Sequence, residues 1–524
     1  MPAAGQQTTF VGRQRELELL RETFDAAAAG QGQVVFVVGE AGLGKSRLVS
    51  ELRMRVAGEP HCWVEGRCAS YGATTAFLPI VDALRRAWGL DDQDDEAGAC
   101  AKVDRAIAKL GGEVAWTLPF VRRVLGLAAD DAAVAALDSA TRRSETFRAL
   151  KALVLQVAQR TPLVLVVEDL HWIDPASEEC LVFLADVVPT TRAVLICSYR
   201  PGHPHRFGDR SYHVRVTLRP LTAAEMGDIS GAVLGTMDIP AEVGSLIAAK
   251  AEGNPFFVEE VTRSLLEDGT LRRENGRVVL AREAQAIAVP DSIQDVLAAR
   301  LDRLADDARQ AIQVASVIGR EFALRLLERI TETGEGVRTH VEELRSLELI
   351  YEKAAHPELA YMFKHALTHD VAYESVIQDR RRALHRTIGL AIEELYADRL
   401  AEFYETLAHH FGRAEEWERA LDYHERAAAK AAESFANRAV VVHCRQALAI
   451  ADRLGAAVPN ERRRGLEEQL ALACFYVNDF ELSGEAYARA AACSSDPGTG
   501  ALYLGLSGLS LFWGNQYARA DEAA

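Results

Sequence analysis

The sequence predicts a multidomain protein, α/β in its first part and all-α beyond it. Three observations carry this. Short β-branched apolar runs alternate with helical patterns as far as about residue 220, helical periodicity dominates from Thr222 onward, and an aromatic-and-small-residue pattern recurs near the C-terminus. A chain of 524 residues has room for about three to four domains, each with its own core. The expected divisions are 8–220 with a helical insertion at about 90–140, then 221–285, 286–400 and 401–524.

The first strand is Val34 to Val38, which runs directly into Gly39-x-x-x-x-Gly44-Lys45-Ser46, a P-loop. A polyphosphate needs several backbone N–H groups aimed at one concavity, and Gly39, Gly42 and Gly44 let the chain turn tightly around it. Lys45 reaches the terminal phosphates, the Ser46 hydroxyl ligates Mg²⁺, and the helix from Lys45 to about Arg55 points its positive end at the anion. Glu40, Ala41 and Leu43 complete the loop and Arg47 follows it in the helix. The alternative, a chance glycine-rich turn, is disfavoured by the strand before it and by Leu48, Val49 and Leu52 after it.

Upstream, Phe10-Val11-Gly12-Arg13 precedes a helix marked by Leu17, Leu19, Leu20 and Phe24, for which packing is the plain explanation. Downstream, Cys62 to Gly66 reads as a second strand and Leu78 to Trp88 as a helix. The Ala-rich, acidic stretch from Asp91 to Asp138 reads as a helical insertion with mobile loops. A third buried strand begins at Leu163 and ends in two consecutive acids, Glu168 and Asp169, as a Walker B element does. One acid would hold Mg²⁺ and the other polarise an attacking water; helix capping is the alternative. The order Glu then Asp puts the shorter carboxylate in the water-activating place, which suggests slow turnover. The strand Ala193 to Ser198 leads to Arg200, a cation placed to sense a γ-phosphate, with a surface arginine as the alternative. A last strand ends at Leu218, giving a sheet whose nucleotide sits at the carboxyl edge.

In the helical part, Gly253-Asn254-Pro255-Phe256-Phe257 breaks the helices Val243 to Ala251 and Val258 to Leu266, as a simple interhelix turn also would. A helix from Ile293 to Leu304, two more helices and a hairpin from Leu349 to Phe363 turning at His356-Pro357 form a winged-helix pattern. His365 and His369 are spaced to share a helical face, but no carboxylate completes a metal motif, and a structural or phosphate-sensing histidine is the preferred reading. Farther on, Trp417, Ala420, His424 and Ala427 set a pattern that Phe480, Ser483, Tyr487 and Ala490 repeat and Tyr517, Ala520 and Ala524 begin again. The copies are 63 and 37 residues apart, near two and one tetratricopeptide periods, which predicts a TPR-like α-solenoid. The chain stops as a hairpin's second helix starts, which suggests a truncated protein.

A net charge of -17 argues against coating nucleic acid, and Arg380, Arg381, Arg382 and Arg386 are explained by a solvated helix face. The eight cysteines match no zinc spacing and are expected as buried thiols in a reducing compartment. Neither a leader nor a membrane span is visible, so a cytoplasmic location is expected.

Taken together, these residues resemble the STAND class of P-loop NTPases, the signal-transduction ATPases with numerous domains. Within it they are similar to the AAA-type ATPase and tetratricopeptide module of bacterial soluble adenylate/guanylate cyclase proteins and of large LuxR-type regulators. The likeness covers about residues 10 to 450, in FVGRQREL, GEAGLGKSRL, EGRCASYGATTAFLPIVDALRR, LVVEDLHWIDPAS, SYRPG, AEGNPFFVEE, VPDSIQDVLAARLDRL, ASVIGREF, ELIYEK and FKHALTHDVAYES. It implies an ASCE/AAA-like sheet that binds ATP or ADP with Mg²⁺. It also implies that Val11, Gly12 and Arg13 line the adenine pocket, that Pro255 closes it, that Arg200 is the sensor arginine, and that His365 touches the terminal phosphate in the inactive state. Two departures stand out: no cyclase domain precedes the P-loop and no LuxR-type helix-turn-helix follows.

The expected function is a nucleotide switch with slow ATPase activity and no cyclase activity of its own. Its repeats would bind a protein or small-molecule inducer, and it would govern a cyclase or transcriptional output. One alternative is a continuously hydrolysing oligomeric ATPase with Arg142 or Arg143 supplied in trans, and a nucleotide-dependent homo-oligomer is allowed for. A second is a winged-helix DNA-binding regulator. Neither nucleic acid nor membrane is the expected partner.

Overall fold

The protein is described here by a computed structural model covering residues 10–68, 75–90, 94–127, 132–274, 277–280, 292–331, 336–354 and 359–523. Five parallel strands form the first sheet: β1 (Gln33–Val38), β2 (Cys62–Arg67), β3 (Leu163–Glu168), β4 (Ala193–Tyr199) and β5 (His213–Thr217), in the order β2-β3-β4-β1-β5. Thus β4 separates the P-loop strand from the acid-bearing strand, as an ASCE/AAA-like sheet requires. The β1 sequence is apolar throughout because both faces are covered. Val34, Phe36 and Val38 join one core with Leu195, Cys197 and Leu181, while Val35 and Val37 join another with Leu17, Phe24 and Leu48.

The helices Gln14–Ala28, Lys45–Arg55 and Leu78–Trp88 form where the apolar periodicity places them. The insertion is helical over Glu96–Leu110 and Leu118–Val124, with a short helix at Ala132–Ala135; residues 91–93 and 128–131 lie outside the described set. It packs against the long helix Ser139–Arg160, where Val103, Ile107, Val121 and Leu153 share a core.

Beyond the sheet, helices Ala223–Leu234, Ala241–Ala251 and Pro255–Glu267 are followed by two strands that the sequence did not signal, β6 (Leu271–Glu274) and β7 (Arg277–Leu280). Next come helices Ile293–Asp302 and Asp306–Ile318, β8 (Glu321–Ala323), helices Leu324–Ile330 and Gly336–Ser346, and the strands β9 (Ile350–Ala354) and β10 (Ala360–Phe363). These strands pair antiparallel in the order β8-β10-β9, one more strand than the expected hairpin; the turn at 356–357 lies outside the described residues. This segment is joined to helix Pro255–Glu267 by buried charge. Arg300, 3% exposed, pairs with Glu260 and, at 2.6 Å, with Glu267, and Arg263 meets Glu348 at 2.6 Å.

The remainder is a stack of long helices: Tyr404–Arg413, Trp417–Glu433, Asn437–Leu454, Asn460–Tyr476, Phe480–Cys493, Pro497–Trp513 and Tyr517–Ala523, each packed on the next. Ala420, Ala427, Ser483 and Ala490 are fully buried, so the small positions do allow close approach. The repeat count needs correction. Trp417 and Phe480 begin helices three apart in an up-and-down stack, so the 63-residue gap holds one and a half hairpins of long helices rather than two. Four connections carry a left-handed residue, Glu415, Phe435, Asn478 or Asn515, each at the middle of a three-residue turn. All eight cysteines are free; Cys62, Cys100 and Cys493 are only partly buried, contrary to expectation, because two of them lie at the edges of elements and Cys100 on an amphipathic helix. No helix of the described residues is long and apolar enough to cross a membrane.

Asp174 fastens the exit of β3. Its Oδ1 accepts from the Ser177 amide at 2.9 Å, capping helix Pro175–Ala185, and from the Phe77 amide at 3.1 Å. Burial pushes this carboxyl up to about 6, against the effect of those hydrogen bonds. The folded chain therefore holds a proton here that the unfolded chain releases near pH 4, and stability falls as pH rises between about 4 and 6, by roughly 3 kcal/mol in all. Asp174→Asn lacks this dependence. Thermal unfolding from pH 4 to 8 should show the variant gaining on wild type up to about pH 6, with a constant difference above.

Candidate functional site

The carboxyl ends of β1, β2, β3 and β4 converge on one edge. At its centre Gly42 and Gly44 take φ of +83° and +92°, values that an L side chain rarely adopts. A Cβ at Gly42 would also lie 2.7 Å from Asn254 Oδ1. Lys45, 9% exposed, donates from Nζ to the carbonyls of Gly39 at 2.8 Å and Glu40 at 3.1 Å. Burial lowers its pKa while nearby Asp169 opposes the shift. Glu40 and Ser46 are exposed, Ala41 is half-buried, Leu43 packs into the core, and Arg47 faces Glu51 at 3.8 Å.

The two acids differ. Glu168 is 6% exposed, meets Arg67 Nε at 3.0 Å and hydrogen-bonds the Ser46 side chain. Burial raises its pKa and Arg67 resists. Asp169 stands in the left-handed region at φ +57°, its amide donating to Ser198 Oγ at 3.2 Å. Its Oδ2 accepts from Arg320 Nη1 at 2.9 Å, from a residue just before β8. Arg200 lies at the tip of β4, next to β1 as expected, with its guanidinium 5.5 Å from the Trp172 ring.

The Val11-Gly12-Arg13 segment borders a cleft of about 530 Å³, with Phe10, Val11 and Gly12 on one side and Asp228, Gly231 and Met237 on the other. That volume lies within the range of small-molecule sites. Arg13 is not in its lining; the guanidinium turns to the Arg219 carbonyl and to Glu16 at 3.4 Å. Pro255 also stands outside it, as the first residue of its helix. Its neighbour Asn254 makes the contact instead: Nδ2 donates to the Ala41 carbonyl at 3.1 Å while Oδ1 caps Phe256 and Phe257. His365 precedes the helix Ala366–Glu374 rather than sharing its face with His369, which donates from Nε2 to the Ser316 carbonyl at 3.0 Å. The His365 ring lies 3.6 Å from that of Phe256, and burial among cationic neighbours lowers its pKa well below the usual imidazole value.

Ser46, Glu168 and Asp169 offer hard oxygen donors that suit Mg²⁺. Among the described residues no group of three or more His, Cys, Asp or Glu stands ready to hold a metal. A Mg²⁺ shared with substrate phosphates needs only one or two carboxylates, so the donor set fits.

Sequence reasoning passed over Asn254, Arg67, Arg320 and His171. Asn before Pro is a helix-start signal, and Arg67 ends a strand as a cation just as Arg200 follows one. His171, pushed down to about 4 by burial, has neither ring nitrogen hydrogen-bonded among the described residues. Nothing local marks Arg320, 151 residues from its partner.

Residues 9–197 match the AAA ATPase domain family. This stretch is an AAA-type P-loop ATPase domain. Residues 230–279 match a domain family of unknown function, DUF8739. An uncharacterized protein of Rhizobium meliloti (strain 1021) is 27% identical over 395 residues, which are 74% of this chain and 37% of that protein. The chain thus spans little more than a third of that relative. Among solved structures, similarity extends to a STAND protein with a tetratricopeptide repeat sensor from Pyrococcus horikoshii, at 11% identity and TM-score 0.42 over 99% of this chain and 85% of that one. It extends also to the Aeropyrum pernix ORC1 protein in complex with DNA, at 16% identity and TM-score 0.32 over 70% and 94%.

Asn254→Ala should cost about 1 kcal/mol through the lost cap and loosen the loop. Hydrogen exchange should quicken at the Phe256 and Phe257 amides and in the peptide spanning Ala41.

Proposed function

We propose that the chain is a STAND-type nucleotide switch, in which the ATP or ADP state of the P-loop site governs how the later segments dock. The observation that carries this reading is contact from those segments to the nucleotide edge of the sheet. Asn254 reaches the Ala41 carbonyl at 3.1 Å and Arg320 reaches Asp169 at 2.9 Å. Buried pairs around Arg300 join the two contacting segments to each other. A site enclosed by its own chain can report its contents by releasing that chain. To reverse the populations almost fully, ATP must favour the released form by about 5.5 kcal/mol.

In this reading Lys45 and the P-loop amides bind the phosphates, Val11 and Gly12 hold the base in the cleft beside Asp228, and Arg200 senses the γ-phosphate. His365 monitors the terminal phosphate in the docked form. Ser46, Glu168 and Asp169 would hold Mg²⁺, which would neutralise phosphate charge, and Asp169 would also orient the attacking water. Hydrolysis is slow and resets the switch. The helical stack binds a protein or small-molecule inducer, and the output is a cyclase or a transcriptional regulator encoded elsewhere or in a longer form of the chain.

A continuously turning oligomeric motor has less support. The arginines considered for action in trans are engaged in cis, Arg142 over the Phe435 ring at 4.0 Å and Arg143 with Glu179. DNA binding is disfavoured by the charge of -17.

Lys45→Ala should abolish ATP binding in calorimetry while circular dichroism stays unchanged; retained tight binding would sink the reading. Asp169→Asn should lower phosphate release by on the order of 100-fold and leave the affinity for metal-free ATP nearly intact.

A further inference from the structure

We propose that Arg320 is a tethered counter-cation: it occupies Asp169 in competition with Mg²⁺–ATP, so that loading the site undocks the three-stranded segment. The inference rests on the nucleotide-switch reading and names the residue through which that switch acts. Both acids at the end of β3 are wired to the same distant sheet. Asp169 meets Arg320, which immediately precedes β8, and Glu168 meets Arg67, whose Nη1 also reaches the Tyr351 hydroxyl on β9 at 3.4 Å. The backbone of Arg320 is itself fixed, because its carbonyl accepts from the Phe363 amide of β10 at 3.0 Å. On the other side Asp169 is preset by its left-handed backbone and its bond to Ser198. The backbones on both sides of the pair are thus held in place.

A carboxylate oxygen that already accepts from a guanidinium is a poorer partner for a hydrated divalent cation, and two positive groups at hydrogen-bond distance repel. Docking and metal-nucleotide loading therefore oppose each other, and by linkage each weakens the other by the same factor. Arg67 differs in origin: it comes from β2 and stays with the ATPase sheet whatever the later segments do. Arg320 is thus the part of the pair that carries information between segments.

The test uses the full chain and a fluorescent ATP analogue titrated with Mg²⁺. Arg320→Gln should lower the Mg²⁺ concentration for half-maximal binding by about tenfold, equivalent to about 1.4 kcal/mol. In the Asp169→Asn background the same substitution should change nothing. Independently, in wild type, hydrogen exchange at the Phe363 amide should quicken with Mg²⁺–ATP and not with ATP in chelator. Weaker nucleotide binding by Arg320→Gln would make Arg320 a phosphate ligand and overturn the proposal, as would an unchanged Mg²⁺ midpoint. If the variant fails to fold, unchanged Phe363 exchange in wild type overturns it alone. Those outcomes leave the switch reading standing as long as wild type binds the analogue; absence of wild-type binding removes both.

Discussion

Two carboxylates side by side at the end of a buried strand need cations close by. Glu168 and Asp169 follow one another at the carboxyl end of β3, with 6% of Glu168 exposed, and burial disfavours the charged form of such a group. The sheet supplies one guanidinium, Arg67, and Lys45 lies near enough to feel Asp169. A further cation, Arg320, comes from outside the sheet, so the segment of β8 to β10 meets the same edge. Neutralisation of the acids and packing between segments meet in the same pair of side chains.

The segment between them is held in a different way. Asn254 uses both ends of one amide, the oxygen to start helix Pro255–Glu267 and the nitrogen to reach the P-loop. Gly42 leaves the room that this approach requires. The helix continues into the charged layer of Glu260, Arg263 and Arg300, where neutralisation is internal and nearly dry. Polar groups thus join the three segments where complementary partners are available, while apolar cores fill the space behind.

The sheet was legible in the residues because strands buried on both faces leave long apolar runs, and β1, β3 and β4 end within a residue or two of where those runs stop. The P-loop was legible because its spacing is itself the chemistry. Four features escaped, for three reasons. The strand β8 has three residues, too few for a period. The role of Asn254 at the P-loop depends on a contact 213 residues away, and the pairing of Arg320 on one 151 residues away; local pattern cannot report either. The phase of the helical stack was misjudged because distance in sequence counts residues, whereas packing counts helices, and two long helices fill a gap that short ones would not.

Phe435 sits at the tip of a turn between two helices of that stack, in the left-handed region, with Arg142 of the ATPase segment 4.0 Å from its ring. Next to it Arg438 meets Glu179 at 3.3 Å. In a stack where each helix touches mainly its neighbours, small rotations accumulate along the length. The stack meets the ATPase segment at Phe435 and Arg438, so a bend accumulated from Asn437 to Ala523 has its near end beside that contact.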